Sequence, residues 1–259
     1  MGGELARLKS IGYGDHLSLV SRRMIHYSLK RADRITVGSQ YLKSIARDYL
    51  SQKQMNQVHY LPLGVNGSMF CTQANSQSSS QTRDKIDILH VGSLVPVKNQ
   101  RALLQALPLV LKKRAAHLHL IGKGPLAKDL KHLASSLNIW NHITFHGEIP
   151  HHHLSEYYAR ADLFMLTSLF ESQGMVVLEA AACGVPIVGT AVGVLPELQP
   201  AVKCLPTNAL NDLPEVILEL LAAPDNLQEM AKAVRLQVTK NFLIEQTVTR
   251  LLQIYNHLL

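Results

Sequence analysis

From Ile86 to Thr190 the chain keeps one rhythm: a short apolar run, a glycine or polar turn, then a stretch with helical apolar spacing. The pattern predicts strands over Ile86–Val91, Leu118–Ile121, Ile143–Phe145, Leu163–Leu166 and Ile187–Val188. Between them it predicts helices over Asn99–Leu111, Leu126–Leu137, Leu154–Ala161 and Val176–Cys183. Continuous apolar strands alternating with helices need cover on both faces, which specifies an α/β doubly wound parallel sheet with right-handed crossovers. Upstream, a helix is expected over Leu17–Arg31, its face made by Leu19, Val20, Arg23, Met24, Tyr27 and Ser28. A strand over Arg34–Gly38, a helix capped by Ser39 through about Tyr49 and a strand over Val58–Leu61 follow. Residues 71–85 read as a polar linker, almost entirely Ser, Gln, Asn and Thr from Thr72 to Thr82. Helices over about Leu210–Ala222, Leu227–Lys240 and Glu245–Leu258 close the chain.

A chain of 259 residues that is 47% hydrophobic can bury a substantial core, which excludes intrinsic disorder. Cys71, Cys183 and Cys204 stand far apart with no CxxC spacing, which argues against a disulfide framework or a cysteine zinc site and for a reducing compartment. Met1 to Arg7 carries no secretory signal, so a cytoplasmic location is expected. The net charge of +7 favours anionic partners. Its basic residues are scattered and only 5% of residues are aromatic, so nucleic acid is not among the expected partners. The apolar stretch from Met175 to Leu195 is long enough to span a bilayer, but it contains Glu179, Gly184, Pro186, Gly189 and Gly193. A helix, a Gly-Val-Pro turn and a buried strand account for it better.

In open α/β sheets ligands bind beyond the carboxyl ends of the strands. The loops Gly92–Asn99, Gly122–Pro125, Gly147–His153, Thr167–Gly174 and Gly189–Glu197 share that edge and carry glycine, lysine, carboxylate and hydroxyl groups. Within Phe170-Glu171-Ser172-Gln173-Gly174-Met175-Val176-Val177-Leu178-Glu179, one acid lies in a loop and the other inside the following helix. A helix starting near Gly174 offers its first amides, from Gln173 to Val176, to an anion such as phosphate. Glu179 lies four residues after Met175 on the same face, about 6 Å along the axis, where a carboxylate can accept hydrogen bonds from a ribose diol. A helix-dipole partner and a solvated loop acid are the structural alternatives for the two. His151-His152-His153 reads as a solvated run, and no metal cluster is expected.

Glu171-x7-Glu179 followed by Ala-Ala-Ala-Cys-Gly-Val-Pro-Ile-Val-Gly-Thr resembles the donor-site signature of glycosyltransferase family 4, retaining enzymes with the GT-B fold. The segments Leu89–Asn99, Leu120–Pro125, Phe145–Gly147, Tyr157–Asp162 and Gly193–Glu197 are similar in the order that family requires, and Arg31–Ser39 and Tyr60–Asn66 resemble the end of its first domain. The resemblance implies a complete C-terminal Rossmann-like donor domain over residues 86–240. It also implies a truncated N-terminal, acceptor-side portion over 1–70 and a C-terminal helix over 241–259 packing back toward that portion. It implies transfer of a hexose from a nucleoside-diphosphate sugar to a glycan or lipid-linked acceptor, without a metal or other cofactor. Lys98 and Glu171 are the implied catalytic pair, Lys98 on the diphosphate and Glu171 on the sugar hydroxyls. Gly92, Ser93, Gly122, Gly124, Gln173, Gly174, Met175 and Val176 are implied to line the donor site, with Glu179 on the ribose. Ser93 stands where family members commonly carry arginine, and Gly2-Gly3 is a poor match to the family's early glycine loop. Peripheral contact with the inner membrane face and self-association through the truncated portion, at an apolar edge near Arg34–Gly38, are further expectations. The alternative is a nucleotide-sugar binding module without turnover, acting alone or completed by another chain.

Overall fold

The computed structural model describes residues 5–14, 18–70 and 85–256. Gly2, Gly3, Cys71 and all but the last residue of the expected linker lie outside the described residues. Two sheets organise the described residues. Strands β1 (Ile35–Val37) and β2 (Val58–Tyr60) form a parallel pair in a first lobe. In the second lobe, β3 (Ile86–Val91), β4 (Ala116–Ile121), β5 (Ile143–Gly147), β6 (Leu163–Leu166), β7 (Ile187–Thr190) and β8 (Lys203–Leu205) form one sheet in the order β5-β4-β3-β6-β7-β8. Every pairing in it is parallel. The chain winds outward from β3 to β5, returns to β6 beside β3, and winds the other way. The switch point therefore falls between β3 and β6, the place where sheets of this topology take their ligands.

The strongly apolar strands lie where the alternation placed them. Those of β6 and β7 are buried throughout and separate two cores, one built on Phe164, Leu178 and Ile187, the other on Leu104, Leu118 and Met165. The short strand β8 was not expected: Lys203-Cys204-Leu205 has no apolar periodicity, and only its pairing with β7 makes it a strand. The short helix Gln52–Met55 was also missed, although Ser51 and Gln54 form a capping box around it.

Two expectations about the first lobe need correction. The Leu19–Arg31 helix has the expected period but the opposite orientation. Leu19, Val20, Met24 and Tyr27 face solvent, 58–73% exposed, while Ile25 and Leu29 pack on the first-lobe core. Apolar spacing cannot choose between two stripes that both satisfy it. Around Arg34–Gly38 the apolar side chains, Ile35 and Val37, are buried rather than offered at an edge. Exposed apolar residues instead line that helix and the Ile244–Asn256 helix, at Ile244, Val248, Leu252 and Tyr255.

The lobes interlock. Val97 and Phe170, from the loops after β3 and β6, are buried in the first-lobe core with Ile35, Val37 and Leu42. Val65 exchanges backbone hydrogen bonds with Phe242 and Ile244, and Thr247 Oγ1 donates to Pro62 O at 2.8 Å, so the last helix starts against residues 62–65. Among the described residues no helix is long and apolar enough to cross a membrane, and Met175–Leu195 divides into the Met175–Ala182 helix, a turn, β7 and the loop that follows.

Candidate functional site

Lys98 and Glu171 each follow an apolar anchor, Val97 and Phe170, that plugs into the first lobe. Anchoring both loops there brings their side chains together over the switch point, with Lys98 Nζ 2.6 Å from Glu171 Oε1. Ser168 Oγ donates to the same oxygen at 2.6 Å. Leu169 N to Val97 O, 2.7 Å, and Thr167 Oγ1 to Lys98 O, 3.0 Å, tie the loops directly. Glu171 is buried, Lys98 less so, and the phenol of Tyr41 from the first lobe has its pKa raised by burial and by the Glu171 charge.

Below this pair sits an uncharged relay. His90 is fully buried; its Nδ1 donates to Met165 O at 2.9 Å, because a carbonyl only accepts. That leaves Nε2 to accept from Gln100 Nε2, 3.3 Å away, which also donates to Ser93 O at 2.9 Å. The relay pins the turn that carries Gly92 and Ser93. Ser93 itself is exposed and adds no charge.

The glycines serve packing as well as access. Gly122 has φ +140°, and a Cβ there would stand 2.0 Å from Gly92 O, so the loops after β3 and β4 touch backbone to backbone. A Cβ on Gly124 would stand 2.4 Å from Leu94 O. Gly174, at φ +86°, ends the Glu171 loop and begins the Met175–Ala182 helix, whose first turn has no side-chain cap. The amides of Met175 and Val176 thus head a helix left open at the partly exposed end.

Glu179 faces different partners. It is buried on that helix, with Tyr158 Oη donating to Oε2 and His151 Nε2 to Oε1, both at 2.9 Å. Burial and the Glu179 charge hold the Tyr158 hydroxyl protonated far above its ordinary range. His151 was expected to be solvated with His152 and His153. Its ring is 60% exposed, as that reading has it, and in addition meets Phe70 edge-on and donates to one oxygen of Glu179. A histidine run carries no local signal for such a contact, which spans 28 residues. Tyr158→Phe is expected to cost about 1–3 kcal/mol by stripping one donor from a buried carboxylate. Urea denaturation checks this; an unchanged midpoint would show that Glu179 does not depend on that phenol.

Thus Gly92, Lys98, Glu171 and Gly174 converge at the switch point, Gly122 and Gly124 brace the neighbouring loop, and Glu179 stands one turn into the helix with its own pair of donors. Gln173 is buried and turned toward the first lobe: Leu63 N donates to its Oε1 at 2.9 Å and its Nε2 donates to Leu63 O at 2.6 Å. Glu197 also joins the lobes, accepting from Gln40 N at 2.7 Å and from Tyr60 Oη at 2.5 Å. Among the described residues no three His, Cys, Asp or Glu side chains gather as a metal site.

In sequence the chain is similar to a GDP-mannose-dependent alpha-(1-6)-phosphatidylinositol monomannoside mannosyltransferase of Mycolicibacterium smegmatis, 31% identical over 64% of this chain and 46% of that protein. It is also 27% identical to the N-acetyl-alpha-D-glucosaminyl L-malate synthase of Bacillus anthracis, over 76% of this chain and 53% of the relative. The chain spans about half the length of the curated relatives it matches. In structure it superposes on sucrose-phosphate synthase of Thermosynechococcus elongatus with a TM-score of 0.84, covering 99% of this chain and 65% of that one at 24% identity. Anabaena HepE in complex with UDP and glucose matches with a TM-score of 0.82 at 18% identity, over 94% and 68% of the two chains. These likenesses establish the GT-B fold. The model of the family described as glycosyl transferases group 1 matches residues 72–241, well over half of the chain, and the chain belongs to that family.

Proposed function

We propose that this chain grips a nucleoside-diphosphate hexose and transfers the hexose, with retention, to a glycan or lipid-linked acceptor. The observation that carries the reading is the meeting of Lys98 and Glu171 over the switch point, beside the open end of the Met175–Ala182 helix. As the bond from the sugar to the diphosphate breaks, negative charge grows on the departing oxygen. The Lys98 ammonium and the amides of Gly174–Val176 are fixed donors for that charge and need no reorganisation as it forms. Lys98 has three N–H groups and spends one on Glu171, so two stay available for phosphate oxygens. Glu171 then orients sugar hydroxyls, while Glu179, held by Tyr158 and His151, accepts from the ribose. No metal ion or cofactor is assigned a part. HepE, bound to UDP and to UDP-glucose in its structures, and the GDP-mannose-dependent relatives support a nucleotide sugar as the donor class.

A cytoplasmic site of action at the inner membrane face agrees with the Leu19–Arg31 helix, where exposed Leu19, Val20 and Met24 lie among Arg22, Arg23 and Lys30. The second reading, a donor-binding module completed by another chain, is favoured by Lys98, Glu171 and Glu179 drawing their side-chain partners from the second lobe alone.

Titration calorimetry with GDP-mannose and with UDP-glucose tests the donor site. One of them should bind the wild-type chain, and Glu179→Gln should weaken it about tenfold, the loss of one charge-assisted hydrogen bond. Binding of neither by the wild-type chain removes the reading. Release of free hexose or transfer to added acceptor, abolished in Glu171→Ala, supports turnover; tight binding without either assigns the chain to the module.

A further inference from the structure

The donor loop is held from outside the donor lobe. Glu171, Ser172 and Gln173 form its tip, and the first lobe grasps two of the three. Ser39, which caps the Gln40–Ala46 helix by accepting from Leu42 N, donates its hydroxyl to Ser172 O at 2.6 Å. Gln173 pairs its amide with both backbone groups of Leu63 in the manner of a β-ladder rung. On the other side Val194 N donates to Gln173 O at 2.7 Å, so the tip is pinned between residues 38–63 and residues 193–194.

Gly38 makes this possible. A Cβ on Gly38 would lie 2.3 Å from Gln173 Oε1 and 3.1 Å from its Cβ and Cδ. No backbone strain demands glycine there, since its φ is ordinary; the demand comes from the Gln173 amide pressed against it. Glu171 itself receives its donors from Lys98 and Ser168, both in the second lobe. Its loop is nevertheless placed by Phe170, Ser172 and Gln173, all fastened to the first lobe.

We infer that Gln173 is a positioning residue through which the first lobe sets the sugar-contacting loop, so that recognition of the hexose, and not of the nucleotide, depends on Gly38, Ser39 and the Leu63 backbone. The inference rests on the nucleotide-sugar reading above. It assigns the hexose to the Glu171 loop, and the diphosphate and ribose to Lys98, the helix amides and Glu179, none of which the Gly38 contact touches.

The test separates these parts by comparing sugar-bearing and sugar-free nucleotides. Calorimetry of GDP against GDP-mannose, and of UDP against UDP-glucose, measures what the hexose adds to affinity. Gly38→Ala should leave nucleoside diphosphate binding within about twofold of wild type and weaken the matching nucleotide sugar about tenfold, because the atoms nearest the added methyl all belong to the Gln173 side chain. Gln173→Leu, which fills similar space without hydrogen bonds, should lose the same sugar contribution. A contribution that survives in both variants overturns the inference, as does equal weakening of diphosphate and sugar forms, which marks general loosening. If the wild-type chain binds no nucleotide at all, the underlying reading falls with it.

Discussion

Lys98→Met should cost the protein both its ligand and part of its stability. The substitution keeps the stem that packs near Gly92 but leaves Glu171, whose side chain is 10% exposed, with the Ser168 hydroxyl as the remaining donor to the shared oxygen. Removing one member of a buried pair strands the other charge, and because Lys98 is partly solvated the expected loss is about 2–3 kcal/mol rather than the upper end. Nucleotide-sugar affinity should fall about 10–100-fold, the value of a charge-assisted contact to phosphate. The double variant Lys98→Met/Glu171→Leu separates the two effects: stability in urea should recover, since no charge is stranded, while binding stays lost. If Lys98→Met bound as tightly as wild type, the diphosphate would lie elsewhere.

Acid should weaken the fold through His90. Burial lowers its pKa from 6.5 to about 4, the Met165 carbonyl pulling it partly back. Between those values the unfolded chain takes up a proton that the folded chain refuses, so stability is full above pH 6.5 and drains away as pH falls toward 4. From pH 7 to pH 5 this single group removes about 2 kcal/mol. The proton would enter Nε2, which now accepts from Gln100, so the relay that pins Ser93 breaks first. His117, also lowered to about 4 by burial and nearby Lys85 but more exposed, adds a smaller share. His90→Gln can still donate to Met165 O and does not titrate; it should flatten the loss measured by urea denaturation at the two pH values. An equal loss in the variant would assign the acid sensitivity to other groups.

The histidine relay and the ion pair differ in how far they were legible in sequence. Lys98, Glu171 and Gly174 sit in loops immediately after apolar strands, and a parallel sheet sends all such loops to one edge, so their convergence follows from local periodicity and topology. The direction of Leu19, Val20 and Met24 did not follow, because the Leu19–Arg31 helix has a second apolar stripe at Ile25 and Leu29 and period alone is silent between them. Strand β8 was missed for a related reason: its three residues owe their extended form to β7 and not to their own preferences. Glu197 appeared only as part of a motif, yet it accepts hydrogen bonds from two elements of the first lobe.

The amino-acid order by itself determined the alternation of strands and helices, the parallel sheet that this imposes, and the set of loops that meet at its carboxyl edge. Tertiary structure decided which groups each acid meets. Glu179 bonds to His151 and Tyr158, Gln173 bonds to Leu63 across 110 positions of chain, and Val97 and Phe170 sit in the core of the other lobe. Periodicity records only which way a side chain points from its own element. Which partner waits there depends on how separate elements pack, and that is settled when distant segments are brought to within hydrogen-bonding distance of one another.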